Sequence, residues 1–129
     1  MLAAVLALYV VARFLRRRIL LRSLRVIPRL SVDELMQWRQ DGRDALVFDV
    51  RPEAMRDAAR IPGALAVDLK QPLPALDPSA LDSDIVVYCA CPNEVSAALL
   101  ASRLRAAGYR KTWALRGGYE AWAEHKHPA

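Results

Sequence analysis

From Ile85 to Leu104 an apolar, β-branched run, Ile85-Val-Val-Tyr-Cys89, gives way to the loop Ala90-Cys-Pro-Asn-Glu94 and then to Val95-Ser-Ala-Ala-Leu-Leu-Ala-Ser-Arg-Leu104. The first part has the composition of a strand and the last the spacing of an amphipathic helix. Together they form a strand-loop-helix unit with a thiol at its hinge. Open α/β sheets keep their ligands at the carboxyl ends of parallel strands, and the helix after such a strand points unpaired N–H groups and its positive dipole end into the same space. Cys89 is therefore a candidate nucleophile.

Alternating elements surround this unit. Ser31 precedes Val32-Asp-Glu34 in a capping box, so a helix is predicted over Val32 to Gln40, burying Leu35 and Trp38 and closed by Asp41-Gly42. Ala45-Leu-Val-Phe-Asp-Val50 is apolar enough for a central strand covered on both faces. Arg51-Pro52 stops it, and Pro52 to Ala59 has the spacing of a short helix with proline at its first position. Ile61-Pro-Gly-Ala64 is a turn before a short strand, Leu65-Ala-Val67. Lys70 to Ser83, with Pro72, Pro74 and Pro78, reads as a connecting loop holding one helical turn near Ser79 to Leu81. After the strand Ile85 to Ala90 and its helix, Gly108 caps the chain, Arg110 to Leu115 is a further strand, and Gly117-Gly118 turns into a last helix over Tyr119 to Glu124. This alternation with short loops predicts an α/β domain with a mostly parallel central sheet flanked by helices. Trp113, Trp122 and Tyr88 are assigned to the core, Tyr88 with a hydroxyl that needs a partner.

The charge is unevenly distributed. Residues 1–29 carry seven arginines (Arg13, Arg16, Arg17, Arg18, Arg22, Arg25, Arg29) and no acid, whereas the remainder sets 12 Lys and Arg against 14 Asp and Glu. The net charge of +5 thus belongs to the leader, and the domain lacks the basic excess that a nucleic-acid partner would need. Met1 to Leu15 is apolar apart from Arg13, and Arg16-Arg-Arg18 comes directly after it. As a helix this run spans about 22 Å, short of the roughly 30 Å hydrocarbon core, although terminal arginines can snorkel. Four readings stay open: a short anchor or transmembrane helix, an in-plane amphipathic helix, a signal peptide, and the tail of a longer membrane protein. In a signal peptide the charges precede the apolar region, and here they come after it. An arginine cluster in that position keeps the downstream chain in the cytoplasm. The expectation is an apolar, then Arg-rich membrane-associated helix over residues 1–28, contacting the bilayer through residues 1–25 and ended by Pro28. Residues 29–129 then form a domain facing the cytoplasm.

Only two cysteines occur, as Cys89-Ala-Cys91. One such pair builds no secreted-type disulfide framework, and a ring closed between them is small and strained, which favours a reducing compartment. His125 and His127 lie together near the C-terminus, and no second Cys/His cluster offers zinc ligands. No metal and no cofactor is expected.

Three motifs occur in order: Phe48-Asp-Val-Arg51 with Ala59-Arg-Ile-Pro-Gly-Ala64, Val87-Tyr-Cys89 before a loop and helix, and Leu115-Arg-Gly-Gly-Tyr-Glu-Ala-Trp122. Together they resemble the rhodanese-like domain family of single-domain sulfurtransferase type. The resemblance covers residues 29–123. It implies that Cys89 takes sulfane sulfur from a donor as a persulfide and passes it to a thiol or other nucleophilic acceptor, small molecule or protein. Ala90, Pro92, Asn93, Glu94, Val95 and Ser96 would form the substrate-binding loop. Asp49 and Arg51 match the family's Asp-x-Arg positions, where they imply an ion pair or hydrogen-bond network beside the pocket. Arg60 stands where the family commonly has histidine.

The chemistry agrees independently. A thiolate is the working nucleophile, and loop N–H groups with a helix N-terminus lower its pKa and would hold a persulfide anion. The loop departs from the family pattern, with no glycine, no arginine and one extra residue. Val95 takes the position at which related phosphatase loops carry an oxyanion-clamping arginine, so phosphatase activity is not expected. Pro92 removes an N–H donor and Glu94 adds negative charge, both of which disfavour thiosulfate and favour a protein or small-molecule persulfide as donor. Glu94 also suits the first turn of a helix, and Asn93 suits a helix cap. Cys91 is either a relay or resolving thiol, able to receive sulfur from Cys89 or close a reversible disulfide with it, or a loop residue packed on Pro92. The expected function is a membrane-associated sulfurtransferase acting through Cys89. The alternative is a catalytically weak binding or redox-sensing module of a membrane complex that uses the Cys89/Cys91 pair.

Overall fold

The computed structural model describes residues 1–126, apart from the side chains of Ser23, Arg25 and Lys126. Among these residues the elements are α1 (Leu2–Val26), β1 (Arg29–Leu30), α2 (Val32–Gln40), β2 (Ala45–Asp49), α3 (Glu53–Ala58), β3 (Leu65–Ala66), β4 (Asp84–Tyr88), α4 (Val95–Ala106), β5 (Thr112–Leu115) and α5 (Gly118–Lys126). The strands form one sheet in the order β1-β5-β4-β2-β3, with every pairing parallel. A parallel neighbour requires a crossover long enough to return the chain to the same end, which the intervening helices and loops supply.

β4 sits at the centre, and its register with β2 sets Asp49 opposite Tyr88. Successive strand side chains point to opposite faces, so this strand feeds two cores. Ile85, Val87 and the adjoining Cys89 bury with Phe48, Ala97, Leu100, Ala101 and Leu104 under α4. Val86 and Tyr88 bury on the other face with Leu35, Ile61, Leu115 and Trp122. Alanines on the inner face of α4 let the helix approach the sheet closely, and each fully buried Leu or Ile contributes about 1.5–3 kcal/mol.

The predicted elements are present with shifted ends. Ser31 caps α2, its hydroxyl oxygen accepting from the Glu34 N–H at 3.1 Å. Pro52 proves to be the N-cap of α3 rather than its first helical residue, because its ψ of 149° is still extended. A 3-10 turn over Pro78–Asp82 occupies the place expected for one helical turn. β4 begins at Asp84, which Arg43 pairs at 2.6 Å, and stops at Tyr88. β1 has no counterpart among the expected elements. Two residues are too few for a hydrophobic pattern, and the strand exists because Ala114 and Arg116 donate N–H groups to the Pro28 and Leu30 carbonyls at 3.1 and 2.8 Å. Trp122 is core as expected, whereas Trp38 and Trp113 are only half-buried, edge to face with centroids 5.1 Å apart.

The N-terminal stretch is one continuous 25-residue helix, about 37 Å long. Its residues 2–22 are exposed, and only the C-terminal end, through Leu24 and Ile27, joins the core under α4. The expectation of a transmembrane helix is not met: among the described residues no helix is long and apolar enough to cross a membrane. Arg13, Arg16, Arg17 and Arg18 interrupt its first eighteen residues, which is the physical reason. His125 sets its Nδ1 3.1 Å from Asp33 Oδ1, and His127 lies outside the described residues.

Candidate active site

Cys89 directly succeeds the last residue of β4 and is 2 % exposed. Its backbone is held by α5: the Tyr119 N–H donates to the Cys89 carbonyl at 3.0 Å. Gly118, at φ +59°, lies so close to that carbonyl that an added Cβ would overlap the oxygen. The glycine pair therefore does more than turn the chain. It lets the start of α5 lock the residue that carries the thiol.

The loop after Cys89 runs through extended Cys91 into a 3-10 turn, Pro92–Glu94. Asn93 (φ 55°, ψ 21°) and Glu94 (φ 54°, ψ 37°) are both left-handed, a conformation that costs a non-glycine residue about 1–2 kcal/mol. Three contacts hold them there. The Glu94 N–H donates to the Cys91 carbonyl at 3.3 Å, Glu94 Oε1 accepts the Gly117 N–H at 3.0 Å, and the Asn93 carbonyl accepts from Arg29 Nη2 at 3.3 Å. Arg29 also donates to the Ile27 carbonyl at 2.6 Å, so the same guanidinium ties the loop to the end of α1. The roles expected for two loop residues are thus corrected. Asn93 does not cap α4, and Glu94, although the residue before the helix, makes no side-chain cap there; its carboxylate turns to Gly117 instead.

The Cys89 and Cys91 sulfurs are in bonding contact as a disulfide, with Cα atoms 5.7 Å apart. That separation lies inside the range a disulfide spans without backbone movement. The helix N–H expected to face Cys89 goes elsewhere: Ser96 donates to Cys91 Sγ at 3.4 Å. Extended Cys91 brings its sulfur over the first turn of α4, while the Cys89 side chain stays in the sheet core.

Behind the loop lies a buried network. Asp49 accepts from Arg51 through Nε and Nη2, at 3.0 and 2.8 Å, from the Arg51 N–H at 2.9 Å, and from the Tyr88 hydroxyl at 2.7 Å. Tyr88 Oη in turn accepts the Ile61 N–H at 3.1 Å, which supplies the partner its burial demands. The Arg51 guanidinium also donates to the Ala59 carbonyl and lies 4.1 Å from the centre of the Tyr119 ring. Burial alone would push the Asp49 carboxyl up, but hydrogen bonds from Arg51 and Tyr88 hold it below the usual carboxylate range. Burial and the Asp49 charge push the Tyr88 hydroxyl up to about 12.

Ala90, Cys91, Pro92, Asn93 and Glu94 line a hollow of about 410 Å³ completed by Gly117 and Glu120. Val95 is exposed, and Ser96 faces a different hollow shared with Arg51, Arg56 and Lys70. The structure therefore brings Cys89, Cys91 and the first half of the predicted loop together, and separates Val95 and Ser96 from that hollow. Sequence reasoning missed Tyr119, Glu120 and Arg29. Glu120 lies inside a quoted motif, but the contact of Arg29 with residue 93 crosses 64 positions and has no local signal.

A parallel α/β sheet with a buried cysteine at the carboxyl end of its central strand, under a tight loop that opens a helix, sets the class of domain to compare with known proteins. Residues 31–125 match the family model described as a rhodanese-like domain, and the chain belongs to that family. It is 29% identical over 103 residues to a sulfurtransferase of Allochromatium vinosum, covering 80% of this chain and 94% of that one. Among solved structures it is similar to a human single-domain sulfurtransferase, with 27% identity, a TM-score of 0.59, and coverage of 75% of this chain and 96% of the other. A Rhodopseudomonas palustris protein described as a possible tyrosine phosphatase shares the fold at a TM-score of 0.67 and 23% identity, over 84% and 89% of the two chains.

Proposed function

We propose that this chain is a sulfurtransferase in which Cys89 takes sulfane sulfur from a persulfide donor and hands it to a thiol. The observation that carries the reading is Cys89 at the end of β4, locked through its carbonyl by Tyr119 and lying inside the segment that matches the rhodanese-like domain. With the pair reduced, the Cys89 thiolate attacks the outer sulfur of the donor, the donor's S–S bond breaks, and the donor leaves as a thiolate. An acceptor thiolate then attacks the outer sulfur of the Cys89 persulfide and regenerates Cys89. Glu94 and Glu120 border the hollow, so a dianionic donor such as thiosulfate meets like charge there. The exposed apolar end of α1 and the arginines after it support attachment to an anionic membrane surface, with the domain in the cytoplasm.

The test uses the full chain in mild detergent, reduced and freed of reductant. After glutathione persulfide, the Cys91→Ser protein should be one sulfur atom heavier, with the sulfur on Cys89, and Cys89→Ser should be unchanged. Thiosulfate should load the same protein far more slowly. The pairing of Cys89 with Cys91 favours one other reading, a redox-sensing or binding module of a membrane complex. Failure of Cys91→Ser to gain sulfur from glutathione persulfide would decide for that module.

A further inference from the structure

Resting on the carrier role of Cys89, we propose that Cys91 is a resolving thiol that turns the loaded site into a sulfane-sulfur reductase, releasing hydrosulfide. Four observations converge on it. The two Cα atoms are 5.7 Å apart, within the range a disulfide spans, so the loop holds the pair where it can close. Of the two, Cys91 Sγ is the one that accepts an N–H from the first turn of α4, at 3.4 Å from Ser96, which fixes where that sulfur sits. Cys91 lines the hollow, where a reductant can meet it. The loop that carries Cys91 is pinned just after it, at Asn93 by Arg29 and at Glu94 by Gly117, which keeps the pair in register.

In the resolving step the Cys91 thiolate attacks Cys89 Sγ, a bond forms between the two cysteine sulfurs, and the bond from Cys89 Sγ to the outer sulfur breaks. The outer sulfur takes the electron pair and leaves as hydrosulfide. Sulfane sulfur is thereby reduced by two electrons, and the two cysteine sulfurs are oxidised to the disulfide. A small thiol or a dithiol reductant restores the pair, being oxidised to its own disulfide.

The experiment takes the full chain in mild detergent, reduced, stripped of reductant and kept anaerobic, with one equivalent of glutathione persulfide. Hydrosulfide is trapped with a bimane reagent and the protein is read by intact mass. Wild type should release about one hydrosulfide per chain and end two hydrogens lighter, as the disulfide. Cys91→Ser and Cys91→Ala should hold the sulfur and release hydrosulfide at least about tenfold more slowly, since the external attack lacks intramolecular advantage. Wild type that accumulates a stable persulfide, or Cys91 variants that release hydrosulfide as fast as wild type, would overturn the resolving role while leaving Cys89 as carrier. Cys91 variants that take up no sulfur at all would overturn both.

Discussion

Replacing Asp49 by asparagine removes one negative charge from the centre of the buried network and leaves Arg51, 5 % exposed, without its counter-ion. The wild-type carboxylate accepts both guanidinium donors of Arg51, its N–H, and the Tyr88 hydroxyl, all between 2.7 and 3.0 Å. An asparagine oxygen can keep some of these bonds but not the charge, and an uncompensated buried charge costs about 3–5 kcal/mol. The expected loss for Asp49→Asn is therefore about 3–5 kcal/mol, read from urea unfolding of the full chain in mild detergent by tryptophan fluorescence. A double-mutant cycle isolates the cause. Asp49→Asn with Arg51→Met leaves no buried charge, so it should be more stable than Asp49→Asn alone by at least about 1 kcal/mol. The acid limb gives the sign: the folded carboxyl lies below its ordinary value, so its contribution is complete above about pH 4 and is lost as pH falls through the folded value. Asp49→Asn should flatten that limb. A single-mutant loss below about 1 kcal/mol, or additivity within about 0.5 kcal/mol, would refute the argument.

Tyr88→Phe should cost about 1–2 kcal/mol at neutral pH, because Asp49 loses a donor and the Ile61 N–H an acceptor. The neutral hydroxyl is the form the fold favours, so wild type should also lose stability as pH rises from about 10 towards about 12, a slope absent from the variant; urea titrations at stepped alkaline pH measure it. Gly118→Ala puts a Cβ onto the Cys89 carbonyl at φ +59°, and should cost about 2 kcal/mol or more. In a Cys91→Ser background it should also slow sulfur uptake by Cys89, measured by intact mass; unchanged uptake would show that the Tyr119 lock does not position the thiol. Changing Arg16, Arg17 and Arg18 together to serine should weaken flotation with phosphatidylserine vesicles by roughly 100-fold, at about 1 kcal/mol per arginine. Equal flotation would assign all binding to the apolar turns of α1.

Local signals are strong where the fold depends on neighbours in sequence. The capping box of Ser31 and Glu34, the apolar run of β2 and the strand-loop-helix around Cys89 each carry their own pattern, and the parallel sheet results from their alternation. The hidden features depend on distant pairs. Nothing in Arg29-Leu30 reads as a strand until β5 offers it a partner, and nothing around Arg29 marks a ligand for residue 93. The same holds for Glu94. Its place ahead of a helix suggests a first-turn carboxylate, but the left-handed turn at Asn93 and Glu94 and the nearby Gly117 N–H redirect it. The thiol pair is visible as Cys89-Ala-Cys91, but which sulfur the helix faces depends on the extended backbone at Cys91.

That last detail bears on the chemistry. A loop that traps an oxyanion must keep its N–H groups pointing at empty space until the substrate arrives. Here the Glu94 N–H of the loop is engaged by the Cys91 carbonyl, the Ser96 N–H in the first turn of α4 by Cys91 Sγ, and the Gly117 N–H of the neighbouring turn by the Glu94 carboxylate. Pro92 has none to give. A dianionic donor would have to displace an internal carboxylate and an internal sulfur to reach the same groups. A persulfide needs no such cradle, because its exchange chemistry requires only a thiolate aligned with an S–S bond. On the reading proposed above, the engaged donors hold Cys91 beside Cys89, and sulfur–sulfur exchange takes the place of stabilising substrate charge.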